Sequence, residues 1–167
     1  MVTEFRPETG TPNADARPFT VLIADDDPGN RETLSELLQN RGFKTVQAAD
    51  GGEAVEIVQV NMIHLVLFDM HMPRMTGLEA VNLLRHTLHK LLPAVLMTAD
   101  ATNELMRQAF LAQVYSVIPK PVNVNIVLHT LTRALARVYG VPAAKDQPTV
   151  QPPAPGAGRP TPNQETD

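Results

Sequence analysis

Between Phe19 and Tyr139, five short strand-type runs alternate with five stretches of helical spacing, and this alternation constrains the fold more than any other feature. The runs are Thr20–Ala24, Lys44–Ala48, Leu65–Phe68, Ala94–Met97 and Tyr115–Ile118. Each is followed by apolar residues recurring at three and four positions, the period of an amphipathic helix. The first helix opens with Asp27 as N-cap and Pro28 at the first helical position, where a missing N–H costs nothing. It carries Leu34, Leu37 and Leu38 on one face and stops at Gly42, a residue suited to a left-handed cap. The second spans about Gly52–Val60, with Asp50 as its cap or turn residue. The third starts near Gly77 and turns Leu78, Val81, Leu84 and Leu88 inward. The fourth covers about Ala101–Gln113 and uses Leu105, Met106 and Ala109. The fifth, about Asn123–Tyr139, sets Val124, Leu128, Leu131, Leu135 and Val138 in a 4-3-4-3 rhythm.

Five strand–helix units in ~120 residues call for a parallel sheet covered by helices on both faces. Leu65–Phe68 is continuously apolar, as a strand buried on both faces must be. Right-handed crossovers lead to an α/β, doubly wound, flavodoxin-like five-stranded parallel sheet of order 2-1-3-4-5. Ligands in that architecture bind beyond the carboxyl ends of the strands.

The remaining sequence is of another kind. Residues 1–18 hold three prolines among polar residues, and 140–167 hold seven of the chain's fifteen prolines with few large apolar side chains. Neither can offset the entropy of ordering itself, so both are expected to be disordered, the second as a Pro-rich tail. Residues 19–139 form the one domain. The chain contains no cysteine, which excludes thiolate metal sites and disulfides. A formal charge of −4 gives no footprint for nucleic acid. No run of apolar residues is long enough to cross a membrane, and the expected location is cytoplasmic.

Chemistry-bearing residues stand at the strand ends. Asp25, Asp26 and Asp27 follow the first strand, Asp69 the third, Thr98 the fourth and Lys120 the fifth. Two carboxylates ~5 Å apart repel by roughly 3 kcal/mol at an effective dielectric of about 20. Three of them need a cation, and oxygen ligands without sulfur select a hard one such as Mg²⁺. Lys120 adds a fixed positive charge and Thr98 a hydroxyl donor. This inventory suits phosphoryl transfer, with one carboxylate as nucleophile.

Ala24-Asp25-Asp26-Asp27-Pro28, Phe68-Asp69-Met70-His71-Met72-Pro73 with Gly77, Met97-Thr98-Ala99 and Pro119-Lys120-Pro121 together resemble the response-regulator receiver domain of two-component signalling, of the single-domain type. The resemblance covers all of 19–139. It implies that Asp69 is the phosphoacceptor and that Asp25, Asp26, Asp69 and the backbone carbonyl of His71 hold Mg²⁺. It implies that Thr98 contacts a phosphoryl oxygen, that Lys120 pairs with Asp69, and that the Lys120–Pro121 bond is cis. The donor would be a phosphohistidine on a histidine kinase or His-phosphotransfer protein. The chain would catalyse only its own phosphorylation and dephosphorylation, and so is not counted an enzyme. Side chains at His71 and Asp100 would modulate the phosphoryl lifetime. A downstream protein would be met through the face of helix four, strand five and helix five, in a phosphorelay or as a terminal response regulator.

One departure concerns the relay. The family's aromatic on strand five is replaced by Val117, which is short and stiff at χ1. Tyr115, two residues earlier, is expected on the same face of the strand and in its place as the moving side chain.

Other readings fit less well. A haloacid-dehalogenase-like phosphatase needs an acid/base Asp where His71 stands. A flavodoxin-like FMN site would put its phosphate against three aspartates. A pseudo-receiver, binding partners without phosphorylation, is the alternative that shares the fold, yet every key residue is present. His86, His89 and His129 lack partners at metal spacing and are expected on solvated surfaces.

Overall fold

Hydrophobic strand segments with polar, capped helix starts give ten alternating elements in the computed structural model, which describes residues 18–140. They are β1 (Thr20–Ala24), α1 (Pro28–Gln39), β2 (Lys44–Ala48), α2 (Gly51–Val60), β3 (Leu65–Asp69), α3 (Gly77–Thr87), β4 (Ala94–Thr98), α4 (Asn103–Leu111), β5 (Ser116–Pro119) and α5 (Val124–Tyr139). The segments expected to be disordered lie outside the described residues, apart from Pro18 and Gly140. All strand pairs are parallel, in the order β2-β1-β3-β4-β5. This is the doubly wound sheet expected from the alternation.

The central strands are inaccessible along their whole length, β3 and β4 at every residue. Their alternating side chains feed two cores. Leu22, Val66, Phe68 and Leu96 pack with α2, α3 and α4, through Val55, Val81 and Leu105 among others. Val21, Ile23, Leu67 and Met97 pack with α1 and α5, through Leu38, Val127, Leu131 and Leu135. Truncating one such Leu to Ala costs about 2–5 kcal/mol, a large share of the roughly 5–15 kcal/mol by which a domain is stable.

Local chemistry fixes the helix starts. Asp27 accepts from the N–H groups of Gly29 and Asn30 with Pro28 next in line, and Asp50 accepts from that of Glu53. Thr76 and Glu79 form a reciprocal capping box at α3. Gly42 and Gly140 take left-handed φ values of 88° and 69°.

Five expectations need correction. Helix α1 ends at Gln39 with Asn40 as its right-handed C-cap, short of Gly42, whose left-handed φ turns the chain toward β2 instead of capping the helix. Helix α4 is shorter than Ala101–Gln113 because Thr102 caps it and Gln113, at φ 58°, leaves the helical region. Met106 is 46% exposed, since the buried line on α4 runs through Leu105, Ala109 and the capping Ala112. Val138 is 38% exposed, because the last turn of α5 passes beyond the apolar sheet; Val127 and Ala134 fill the core instead. Strand β5 begins at Ser116, not Tyr115, with consequences for the relay described below.

Candidate functional site

Strands β3 and β4 run one residue further than expected, so Asp69 and Thr98 are each the last residue of a buried strand. Asp25 follows the last residue of β1, and its N–H still donates to Ala48 O at 3.2 Å. Lys120 follows β5 and donates its N–H to Thr98 O at 2.7 Å. Four parallel strands thus deliver one functional residue each to the same rim.

One ligand oxygen from each of Asp25, Asp26 and Asp69 lies within 4.8 Å of the others. Asp25 and Asp69 are only 1% and 3% exposed, whereas Asp26 is exposed. The Lys120 ammonium sits 3.0 Å from Asp69 Oδ1 and 3.8 Å from Asp25 Oδ2. The Asp25 carboxyl is pushed above its ordinary value by burial, opposed by the Asp27 N–H that donates to it. The neighbouring Asp69 pushes it up further, and Lys120 pulls it back. Three carboxylates against one ammonium leave two negative charges uncompensated, and two of the three carboxylates are buried. A hard divalent cation fits that deficit and that donor set.

The backbone around Asp69 is tightly held. Met70 N–H donates to Met97 O at 2.8 Å, and Gly77 N–H to Met70 O at 3.0 Å. The His71 N–H approaches Asp69 Oδ1 at 3.4 Å. A Cβ on Gly77 would stand 2.5 Å from Asp69 O, so only glycine lets α3 start this close to the phosphoacceptor candidate. The Thr98 hydroxyl is engaged with the Asp100 backbone, donating to its O and accepting from its N–H, both at 3.2 Å. The side chains of His71 and Asp100 are exposed at the mouth. The Lys120–Pro121 peptide is cis, as the resemblance implied.

Sequence reasoning missed Arg31. Its Nη1 donates to Asp25 O at 2.6 Å and its Nε to Gln47 Oε1 at 3.2 Å, tying the acidic loop to α1 and β2. In the sequence Arg31 is one more polar residue on a helix, and only the position of β2 reveals its task. His86, His89 and His129 are exposed, as expected.

Tyr115 and Val117 do not share a face. Val117 packs against the core under α2, α3 and α4, while Tyr115 packs against the one under α1 and α5. Tyr115 precedes the strand, in the segment leaving the left-handed Gln113, where pleated alternation does not yet hold. The face on which Val117 stands is therefore not the one that Tyr115 occupies.

Comparison with known proteins agrees with this geometry. The response regulator receiver domain profile matches residues 21–132. The sensor histidine kinase RcsC of Escherichia coli K12 is 32% identical over 132 residues, 79% of this chain but 14% of RcsC. The transcriptional regulatory protein PdtaR of Mycobacterium tuberculosis is 31% identical over 139 residues, 82% of this chain and 67% of PdtaR. Among solved structures, Vibrio cholerae chemotaxis protein CheY4 superposes with a TM-score of 0.67 at 29% identity, covering 71% of this chain and 99% of CheY4. A CheY-like receiver domain protein from Methanospirillum hungatei gives 0.70 at 26% identity, covering 74% and 98%. The chain belongs to the response regulator receiver domain family. It is a receiver domain of the two-component type, and no helix among the described residues is long and apolar enough to cross a membrane.

Proposed function

We propose that Asp69 accepts a phosphoryl group from a phosphohistidine on a histidine kinase or His-phosphotransfer protein, and that this chemistry requires Mg²⁺. The observation that carries the reading is the buried pair of Asp69 and Asp25 sharing Lys120, with two negative charges left over beside it. Asp25, Asp26, Asp69 and the His71 carbonyl would hold the ion. When bound, Mg²⁺ supplies the charge neutralisation and phosphoryl-oxygen contact on which such transfers depend.

The chain's own residues do the rest. Asp69, held at a strand end and oriented by Lys120, presents a carboxylate oxygen for attack on phosphorus. The new bond is P–O; the bond that breaks is P–N, its electron pair goes to the donor imidazole nitrogen, and that nitrogen takes up a proton from solvent water. Lys120 then faces an added anionic oxygen, and the Thr98 hydroxyl can exchange its Asp100 partner for another. Hydrolysis of the acyl phosphate returns the carboxylate, so the only substrate the chain turns over is itself. An open groove of ≈ 260 Å³ lined by Thr33, Leu37, Val122 and Val124 adjoins Asp25 and Lys120, and offers apolar footing for the donor beside the acceptor.

The second reading, a pseudo-receiver that binds partners without phosphorylation, is favoured by one feature, the valine at 117 in place of a relay aromatic. Titration with beryllofluoride and Mg²⁺, followed by amide NMR, separates the two. The phosphoacceptor reading expects saturable shifts at Thr98, Lys120 and the α4 residues. Silence at all three supports the pseudo-receiver.

A further inference from the structure

Far from the acidic rim, α4, β5 and α5 leave apolar surface that has no partner among the described residues. Phe110, Leu111 and Leu91 are 80%, 66% and 53% exposed. They border an open groove of ≈ 840 Å³ whose lining continues through Tyr115 and, on α5, Arg137 and Val138. Large apolar side chains gathered at one groove mark a surface that something covers.

The chain carries a fitting occupant. Helix α5 forms one wall of the groove and ends immediately after Val138, and 27 residues follow Gly140 (167 minus 140). Within them Pro148-Thr149-Val150-Gln151-Pro152-Pro153-Ala154-Pro155 is uncharged and half proline. Proline-rich segments are preformed in the polyproline II conformation and dock in grooves lined by aromatic side chains, here Phe110 and Tyr115. The seven residues from Val141 to Gln147 reach ~22 Å in an extended form, enough to bring the segment across the opening. Tethering also supplies an effective concentration on the order of 1 mM, so even a weak intrinsic affinity fills the groove. A second copy has no such advantage, and two chains of formal charge −4 repel each other.

We propose that Pro148–Pro155 docks in cis in the groove between α4 and α5, covering part of the face through which this receiver would meet a downstream protein. The contact is independent of phosphorylation and is tested without a phosphodonor. Because the chain has no cysteine, Ala157→Cys creates a single attachment point for a nitroxide just beyond the segment. In the full-length chain, the oxidised label is expected to at least halve the amide intensities of Phe110, Leu111 and Tyr115 relative to the reduced label. Phe110→Ala, at an exposed position the fold does not need, is expected to restore them. Unchanged intensities, or broadening indifferent to Phe110→Ala, would overturn the proposal. So would broadening that transfers to an isotope-labelled copy mixed with a spin-labelled one, which would make a second chain the occupant.

Discussion

Lys120 Nζ lies 3.0 Å from Asp69 Oδ1 and 3.8 Å from Asp25 Oδ2, so one ammonium serves two buried carboxylates. Removing it leaves both unpaired in a place where water barely reaches. Lys120→Ala is expected to destabilise the metal-free domain by about 2 kcal/mol, below the full cost of breaking a buried pair because Lys120 itself is partly exposed. In an Asp69→Asn background the same change should cost clearly less. Urea unfolding of the four proteins of this double-mutant cycle measures the coupling. A cost that is the same in both backgrounds would mean that Lys120 does not sense Asp69.

Gly77 acts on the site through the backbone. A methyl group there meets Asp69 O at 2.5 Å, and the far side of that contact is a strand with no slack. Gly77→Ala is therefore expected to cost about 2 kcal/mol and to slow labelling of Asp69 at least tenfold. Gly52→Ala is the control, since its added Cβ would meet only the flexible end of Asp50 at 3.3 Å. Equal effects of the two substitutions would show that helix propensity, and not the approach to Asp69, is being measured.

His64 predicts a pH dependence. Its Nδ1 accepts from the Thr20 N–H at 2.9 Å, its ring packs on Phe19 and Tyr139, and its carbonyl accepts from the Tyr139 hydroxyl. Burial, with Lys90 nearby, holds its pKa below the ordinary value of 6.5. The unfolded chain therefore binds the proton more readily, and stability falls as pH drops below 6.5 toward the folded-state value. The contribution is complete above the unfolded pKa. His64→Asn keeps an acceptor without the titration, so its urea midpoint should lose less than wild type between pH 7.5 and 5.5. Parallel curves for the two proteins would contradict this.

The strand ends were legible in the sequence because each carries a short apolar run stopped by a polar residue. That pattern places Asp25, Asp69, Thr98 and Lys120 at one rim as soon as the sheet order is known. Tyr115 was misplaced because a period of two holds only inside a strand, and the left-handed Gln113 shifts the entry to β5 by one residue. Gly77 and Arg31 were opaque for a different reason. Their roles are distances to the backbone of Asp69 and Asp25, elements remote in sequence, and no local pattern records such an approach. The groove at Phe110 likewise exists only once α5 stands beside α4.

His71 and Asp100 stand exposed on the loops that follow Asp69 and Thr98, beside the route water would take to an acyl phosphate. Exchanging either for Ala is expected to change the half-life of the phosphorylated form severalfold while leaving Mg²⁺ affinity within about twofold, a difference under ~0.5 kcal/mol. Phosphoryl loss followed by time-resolved intact mass reads the first, and Mg²⁺ titration by NMR the second. Unchanged half-lives in both variants would remove these residues from the dephosphorylation step.

Asp69 is the residue proposed to be phosphorylated, with a divalent ion needed for it. Intact mass spectrometry after incubation with a small phosphoramidate or acyl phosphate tests it directly. The wild-type chain with Mg²⁺ is expected to gain one phosphoryl group. No gain is expected with a chelator, and none for Asp69→Ala under either condition. Stoichiometric labelling of Asp69→Ala, or undiminished labelling of the wild-type chain in the chelator, would contradict it.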